Sequence, residues 1–270
     1  MKIESYAKIN LRLNILGKRP DGFHEVETFM QAIGLHDDVF VDWTESQTPL
    51  TISLDPGRPD LPSDAGNLAY RAAVLMHQNF RPDANGSVNI KVVKRIPVAA
   101  GLAGGSGNGA AVINALGEIW GIPMEDRLRV GAKLGSDVPF CIASQMGQTA
   151  AIGTGTGADL TSAKPAEFKV LLTTPNISVP TKAVYGELKP EDYAVQFTKY
   201  GNHLQAPSLR LFPAIQEVLD LHSALPGQTL TQLSGSGPSV FTLFEPDAEI
   251  PDFSRISSRF STILTETRNK

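Results

Sequence analysis

The sequence predicts an α+β fold in two lobes, and three observations carry that expectation. Residues 2–16, KIESYAKINLRLNIL, alternate apolar and polar side chains with period two. The segments 67–80 and 108–120 instead place apolar residues at helical spacing. Between 153 and 166 the chain loosens into GTGTGADLTSAKPA, with mixed strands and helices on both sides. One lobe is therefore expected over 1–157 and the other over 158–270.

The elements follow in order. Ile3, Ala7, Ile9, Leu11, Leu13 and Ile15 form one face of the first strand, and Lys2, Glu4, Tyr6, Lys8, Asn10, Arg12 and Asn14 the other. That alternation predicts a half-buried strand. Pro20-Asp21-Gly22 signals a turn. Phe29 to Leu35 and DDVFVDW read as two further strands, and 48–66 as a short strand followed by a Pro/Gly/Asp-rich loop. Leu68, Ala72, Leu75 and Met76 share a helical face, with Asn67 placed to cap it. Val88, Ile90 and Val92 line one side of a strand. A helix is expected from Asn108, carried by Val112, Ile113, Leu116, Ile119 and Trp120. MEDRLRVGAKL is another, stopped by Gly135 and followed by Ser136-Asp137-Val138-Pro139. A new start at 168–175 leads into helices to about residue 226. SGSGPSV (234–240), a strand VFTLF and a short tail complete the chain.

Composition narrows the function. The 270 residues carry 41% hydrophobic and 19% charged side chains and a net charge of −4. A general nucleic-acid binder would show a basic excess. One cysteine, Cys141, gives neither a disulfide framework nor a thiolate zinc site, and the five histidines show no ligand spacing. No apolar run is long enough to span a membrane, and the N-terminus lacks the apolar stretch of a signal peptide. A cytoplasmic protein with no metal-ligating side chains is the expectation.

IPVAAGLAGGSGNGAAV, residues 96–112, holds five glycines and joins a strand to a helix. Free N–H groups at a helix N-terminus and the helix dipole attract anions, and small residues let phosphate oxygens approach the backbone. Tight helix–strand packing selects glycine and alanine equally well, so the stretch alone leaves both readings open. The Walker pattern is absent, because no lysine follows Gly105, Gly107 or Gly109. The near-miss Gly105-x-Gly107-x-x-Ala110 lacks the acid of a dinucleotide site, and protein-kinase landmarks are missing.

PVAAGLAGGSGNGAA resembles the phosphate loop of the GHMP kinases. AKINLRLNILGKRPDGFHEVETFMQ, GNLAYRAA, LGSDVPF, SVPTKAVY, RLFPAI and GSGPSVF are similar to segments of one branch of that superfamily, in order and spacing, over nearly the whole chain. The DGFHE opening resembles the branch whose substrate is a methylerythritol carrying a cytidine diphosphate. The resemblance implies a two-lobed GHMP-kinase fold with the active site between lobes. It implies transfer of the ATP γ-phosphoryl group, with Mg²⁺, to the 2-hydroxyl of that small-molecule substrate. It also leaves open a GHMP kinase for a different small alcohol, or a non-catalytic nucleotide-binding relative.

The same resemblance assigns roles. Asp137 accepts the proton of the attacking hydroxyl, although GSDVP also reads as a helix cap. Lys8, beside it, steadies developing charge. Phe23 and His24 match a pair that reads cytosine by stacking and hydrogen bonding, with Tyr185 as the opposite wall. Asn10 belongs to the substrate side, as does Thr181, near the diphosphate. Pro97, Gly101, Leu102, Ala103, Gly104, Gly105, Ser106 and Gly107 form the ATP loop, with Asn67 and Lys94 toward base and ribose. Ser106 faces a phosphate oxygen or the magnesium shell, and SGSGPSV closes over the site. Several positions depart from the family pattern. Ala99, Ala100 and Ala103 stand for glycines, Gly107 for a second serine, Ala158 for an acid and Phe23 for tyrosine. Any left-handed backbone needed at the three alanines is strained.

Overall fold

The computed structural model of the protein describes residues 1–269. Its contacts divide the chain into two compact units with exchanged segments: 1–7, 35–98 and 103–148 form one, and 8–34, 99–102 and 149–270 the other. The cut expected from the sequence, between 157 and 158, falls beyond the last of these exchanges. The interleaving comes from two long strands, β1 (Lys2–Lys18) and β2 (His24–Glu45), which each run through both units. Among the described residues no helix is long and apolar enough to cross a membrane.

In the first unit, β4 (Gly86–Val93) pairs antiparallel with the second half of β2, from Asp38↔Val93 to Glu45↔Gly86. On its other side β4 pairs parallel with β3 (Thr51–Asp55). Four helices follow in this unit: α1 (Leu68–Phe80), α2 (Gly104–Trp120), α3 (Met124–Leu134) and α4 (Val138–Gln145). Val39, Val41, Ile90 and Val92 from the strands meet Ala69, Ala72 and Met76 of α1 and Val112, Ile113 and Leu116 of α2 in one core. Each fully buried aliphatic side chain of this kind contributes about 1.5–3 kcal/mol. Residues 107–117 of α2 are buried throughout, so α2 is a central helix covered on all sides.

In the second unit a four-stranded antiparallel sheet runs in the order β11-β7-β10-β9, from β7 (Lys169–Thr174), β9 (Leu230–Leu233), β10 (Val240–Phe244) and β11 (Ser261–Glu266). β5 (Ala150–Thr154) and β6 (Asp159–Ser162) form a hairpin whose first strand pairs with Thr28–Gln31 of β2. The two-residue β8 (Gly201–Asn202) lies parallel to β1 at Arg12 and Leu13. Helices α5 (Thr181–Gly186), α6 (Gln205–Leu211), α7 (Ile215–Ser223) and α8 (Ser254–Ser257) complete it. Leu13, Ile15, Val184, Leu204, Ile215, Val218, Leu233 and Val240 form a core there.

Several expectations change. β1 is not half-buried, because Ser5 to Leu11 are buried on both faces, Lys8 and Asn10 included. The two strands read between 29 and 43 are one, since nothing at Gly34 or His36 breaks the ladder. α2 starts at Gly104, not Asn108, because tertiary burial holds a glycine-rich turn that propensity disfavours. α4 forms a separate helix beyond Gly135, opened by a proline in its first turn. The loose segment at 153–166 contains a hairpin, with Gly155 and Gly157 in the left-handed region. SGSGPS joins two paired strands, not a helix to a strand, and the tail supplies an edge strand of the sheet.

Candidate active site

The glycine loop carries a run of left-handed backbone. Ala99 (φ 53°), Gly101 (φ 74°) and Ala103 (φ 57°) all lie in the left-handed region. The strain anticipated for the alanines is therefore present at 99 and 103, at roughly 1 kcal/mol or more each. Ala100 is not among the positive-φ residues. In the first unit Ala103 caps α2 with no side-chain hydrogen bond, and the first turn carries no acid. Gly107 N donates to Ala103 O at 2.8 Å, closing the first helical bond. The N–H groups of Gly104, Gly105 and Ser106 precede that bond, and Gly105 is exposed and Ser106 half-buried. With neither a side-chain cap nor an acid in its first turn, the terminus keeps free N–H groups and the positive end of the helix dipole, which favour negative charge.

The glycines of this stretch differ in what surrounds them. A Cβ on Gly105 would meet only Leu68, at 3.7 Å, so that position stays bare toward solvent. A Cβ on Gly109 would lie 3.0 Å from Leu134 and 3.3 Å from the Leu68 carbonyl, which is helix packing. On Gly104 it would lie 2.9 Å from Ile96 and 3.1 Å from the Lys94 amine.

In the second unit Gly101 docks onto the SGSGP turn. Ser234 Oγ donates to Gly101 O at 2.9 Å, and a Cβ on Gly101 would lie 2.3 Å from the Ser234 carbonyl. The same turn meets the proposed diphosphate residue, with Thr181 Oγ1 2.9 Å from Ser236 Oγ. Beneath it a buried polar chain crosses the strands. Lys8 Nζ donates to Asn10 Oδ1 at 2.7 Å, Asn10 Nδ2 to Thr28 Oγ1 at 2.8 Å, and Thr28 Oγ1 to the Arg12 carbonyl at 2.9 Å. Asn10 and Lys8 also flank Gly235, where a Cβ would lie 3.4 Å from the Asn10 oxygen and 3.8 Å from the Lys8 amine. Buried lysine and asparagine in mid-strand are costly unless hydrogen-bonded, and this chain of bonds supplies partners for both.

Phe23 is 63% exposed, presented by a braced turn. Asp21 accepts from Phe23 N at 3.0 Å and from Arg19 Nε at 3.1 Å, while Arg19 N donates to Phe23 O at 2.8 Å. The His24 and Tyr185 rings lie 5.2 Å apart at 33°. Burial, with Lys18 nearby, pushes the His24 imidazole below its ordinary pKa, which keeps one ring nitrogen as an acceptor at neutral pH.

Asp137, in the first unit, occupies the N-cap position of α4, yet its side chain makes no cap hydrogen bond. The helix-cap reading therefore has the position right and the interaction wrong. Asn67 does cap α1, with Oδ1 accepting from Ala69 N at 3.0 Å and Nδ2 donating to Pro62 O at 2.9 Å. Lys94 Nζ donates to Asp37 Oδ2 at 2.6 Å and to the Ile96 carbonyl at 2.8 Å. Desolvation pushes the Lys94 amine down in pKa, against the pull of Asp37. Asp37, fully buried, also accepts from Arg95 N at 2.6 Å and Ile96 N at 2.8 Å, so it braces the chain just before the loop. Sequence reading missed Asp37 and Thr28, and it had Ser234 and Ser236 only as part of the SGSGPSV stretch; a polar residue on the buried face of an alternating strand is the signal for Thr28. Glu4, His36 and Asp38 also gather within 4.8 Å, but Lys2 and Arg95 pair with Asp38 at 3.0 and 2.8 Å. A cavity of about 570 Å³ lined by Phe168, Lys169, Pro246 and Thr267 in the second unit contains none of these residues.

Residues 67–145 match the family model described as GHMP kinases N terminal domain. The fold agrees with a crystal structure of mevalonate kinase, at a TM-score of 0.69 and 12% identity over the full length of both chains. A homoserine kinase from Cytophaga hutchinsonii gives 0.65 and 14%, covering 99% of this chain and 95% of the other. The matched residues and the shared fold are those of GHMP-type small-molecule kinases, enzymes with ATP as phosphate donor. Similarity to one branch runs deeper. The 4-diphosphocytidyl-2-C-methyl-D-erythritol kinase of Brevibacillus brevis is 36% identical, over 93% of this chain and 89% of the relative. That of Geobacillus kaustophilus is 37% identical, over 93% and 90%. A crystal structure of 4-(cytidine 5'-diphospho)-2C-methyl-D-erythritol kinase superposes with a TM-score of 0.81 at 31% identity, over all of both chains. The chain belongs to the 4-diphosphocytidyl-2-C-methyl-D-erythritol kinase family.

Proposed function

We propose that the protein transfers the γ-phosphoryl group of ATP to the 2-hydroxyl of 4-diphosphocytidyl-2-C-methyl-D-erythritol, a step toward isoprenoid precursors outside the mevalonate route. The observation that supports this reading most directly is the uncapped, acid-free N-terminus of α2 behind a left-handed loop. Gly101 to Ser106 would cradle the phosphates by backbone N–H groups, with Gly107 closing the first helical bond behind them and Pro97 leading into the loop. Asp137 would take the proton of the 2-hydroxyl as its oxygen bonds to phosphorus and the bridging bond to ADP breaks. Lys8, held by Asn10, would steady the charge on the transferred group. Phe23, His24 and Tyr185 would hold the cytosine, and Thr181 the diphosphate. Asn67 and Lys94 would act toward the nucleotide through the helix and loop that they brace. Mg²⁺ supplies charge neutralisation on the phosphates. With no carboxylate in the first turn of α2, Ser106 is the side chain there with an oxygen to hold it.

The test is ADP release with ATP, Mg²⁺ and the cytidyl substrate, beside mevalonate, homoserine and cytidine-free methylerythritol as acceptors. Turnover is expected only with the cytidyl substrate, and Asp137→Asn should lower kcat by about 10²–10⁴. Turnover with another acceptor would remove the substrate assignment. An active Asp137→Asn would remove the base.

A further inference from the structure

Ser5 is a polar residue on the otherwise apolar face of β1, between Ile3 and Ala7. It is fully buried, and its Oγ has no hydrogen-bond partner. A buried hydroxyl left unpaired is destabilising, and alanine would avoid that cost at this position. The hydroxyl lies against α2. A Cβ built on Gly107, the fourth residue of α2, would lie 2.5 Å from Ser5 Oγ and 3.8 Å from Ser5 Cβ. Ser5 Oγ therefore fills the space that a side chain at residue 107 would occupy.

Direction matters here. In an α-helix the Cα–Cβ bond tilts toward the N-terminus, so a side chain at 107 would cover the turn that precedes it. That turn carries the N–H groups of Gly104, Gly105 and Ser106. The backbone of Gly107 is itself committed: its N–H donates to Ala103 O at 2.8 Å, and its carbonyl accepts from Gln145 Nε2 at 2.9 Å. At this level of the helix, then, the hydroxyl arrives from the strand and not from the loop.

We propose that Ser5 is a nucleotide-site residue: its hydroxyl, carried on β1, serves the phosphate end of a nucleotide bound at the first turn of α2, in the place of a side chain on residue 107. On this account Gly107 is the partner that makes room for Ser5, and the loop has lost no hydroxyl. The proposal rests on the reading of α2 as the nucleotide site.

The experiment measures Kd for ATP with and without Mg²⁺ and the melting temperature of the nucleotide-free protein. It compares wild type, Ser5→Ala, Gly107→Ser and the exchange Ser5→Gly/Gly107→Ser. A hydrogen bond to a charged group corresponds to about tenfold or more in affinity. Ser5→Ala should therefore raise the nucleotide Kd at least about tenfold while the nucleotide-free protein melts no lower than wild type. Gly107→Ser alone should melt lower, since its Cβ meets Ser5 Oγ. The exchange should bind within about threefold of wild type. Wild-type affinity in Ser5→Ala, or an exchange variant that binds no better than Ser5→Ala, would overturn the role of Ser5. A wild-type protein with no measurable nucleotide binding would instead overturn the site at α2.

Discussion

Gly101→Ala perturbs the loop at the point where both its backbone and its surroundings are committed. Gly101 has φ 74°, and an alanine there carries a left-handed penalty of about 1–2 kcal/mol. Its Cβ would also lie 2.3 Å from the Ser234 carbonyl oxygen and 2.8 Å from that of Gly237. Neither can yield cheaply. Gly237 N donates to Ser234 O and Ser234 N to Ser239 O, each at 2.9 Å, and Asn202 Nδ2 holds Gly235 O at 2.8 Å. Overpacking against such a turn costs about 1–3 kcal/mol, and loss of the Ser234–Gly101 bond adds about 1. The sum is roughly 3–6 kcal/mol, or a fall in Tm on the order of 6–20 °C. Thermal melting followed by circular dichroism reads this directly, with Ala99→Gly and Ala103→Gly as comparators. Those two relieve left-handed strain but free the unfolded chain by about 0.4–1 kcal/mol, so they should melt within about 3 °C of wild type. A Gly101→Ala protein that melts within about 2 °C of wild type would refute the docking argument.

Three further outcomes are expected. Asp37→Ala breaks a buried pair with Lys94 and strands two backbone N–H groups, so urea unfolding should show a loss of about 3–5 kcal/mol; a loss below about 1 would contradict the bracing role. His222, fully buried between Thr242 and Thr173 at 2.7 and 2.8 Å, has its pKa pushed down by burial to about 4. The unfolded chain thus binds the extra proton first, and this contribution is complete above about pH 6.5 and lost as pH falls toward 4. It amounts to about 3 kcal/mol, and His222→Gln should flatten the stability profile across that window. Phe23→Ala should leave stability within about 0.5 kcal/mol, because the ring is 63% exposed, yet raise the KM for the cytidyl substrate about 5–100-fold. An unchanged KM would take Phe23 out of the base site.

Much of the architecture was legible from short-range signals. Period two marked β1 and β4, and a period of 3.6 marked α1 and α2, because side-chain direction along a strand or helix is fixed by backbone geometry alone. Asn67 capped α1 as its position implied, since that bond spans only two residues. The family resemblance rested on motifs in chain order, and the relatives bear it out.

Tertiary structure decided what depends on packing between distant segments. Whether β1 was covered on one face or two depended on what lay over Lys8 and Asn10, and no local pattern carries that information. Asp37 became the brace of the loop only when folding brought it to Lys94, and Thr181 met Ser236 in the same way. Gly107 shows the division most plainly. As a letter it reads as a missing serine. In the structure it is the space that admits Ser5, because a strand and a helix about a hundred residues apart pack too closely there for two side chains.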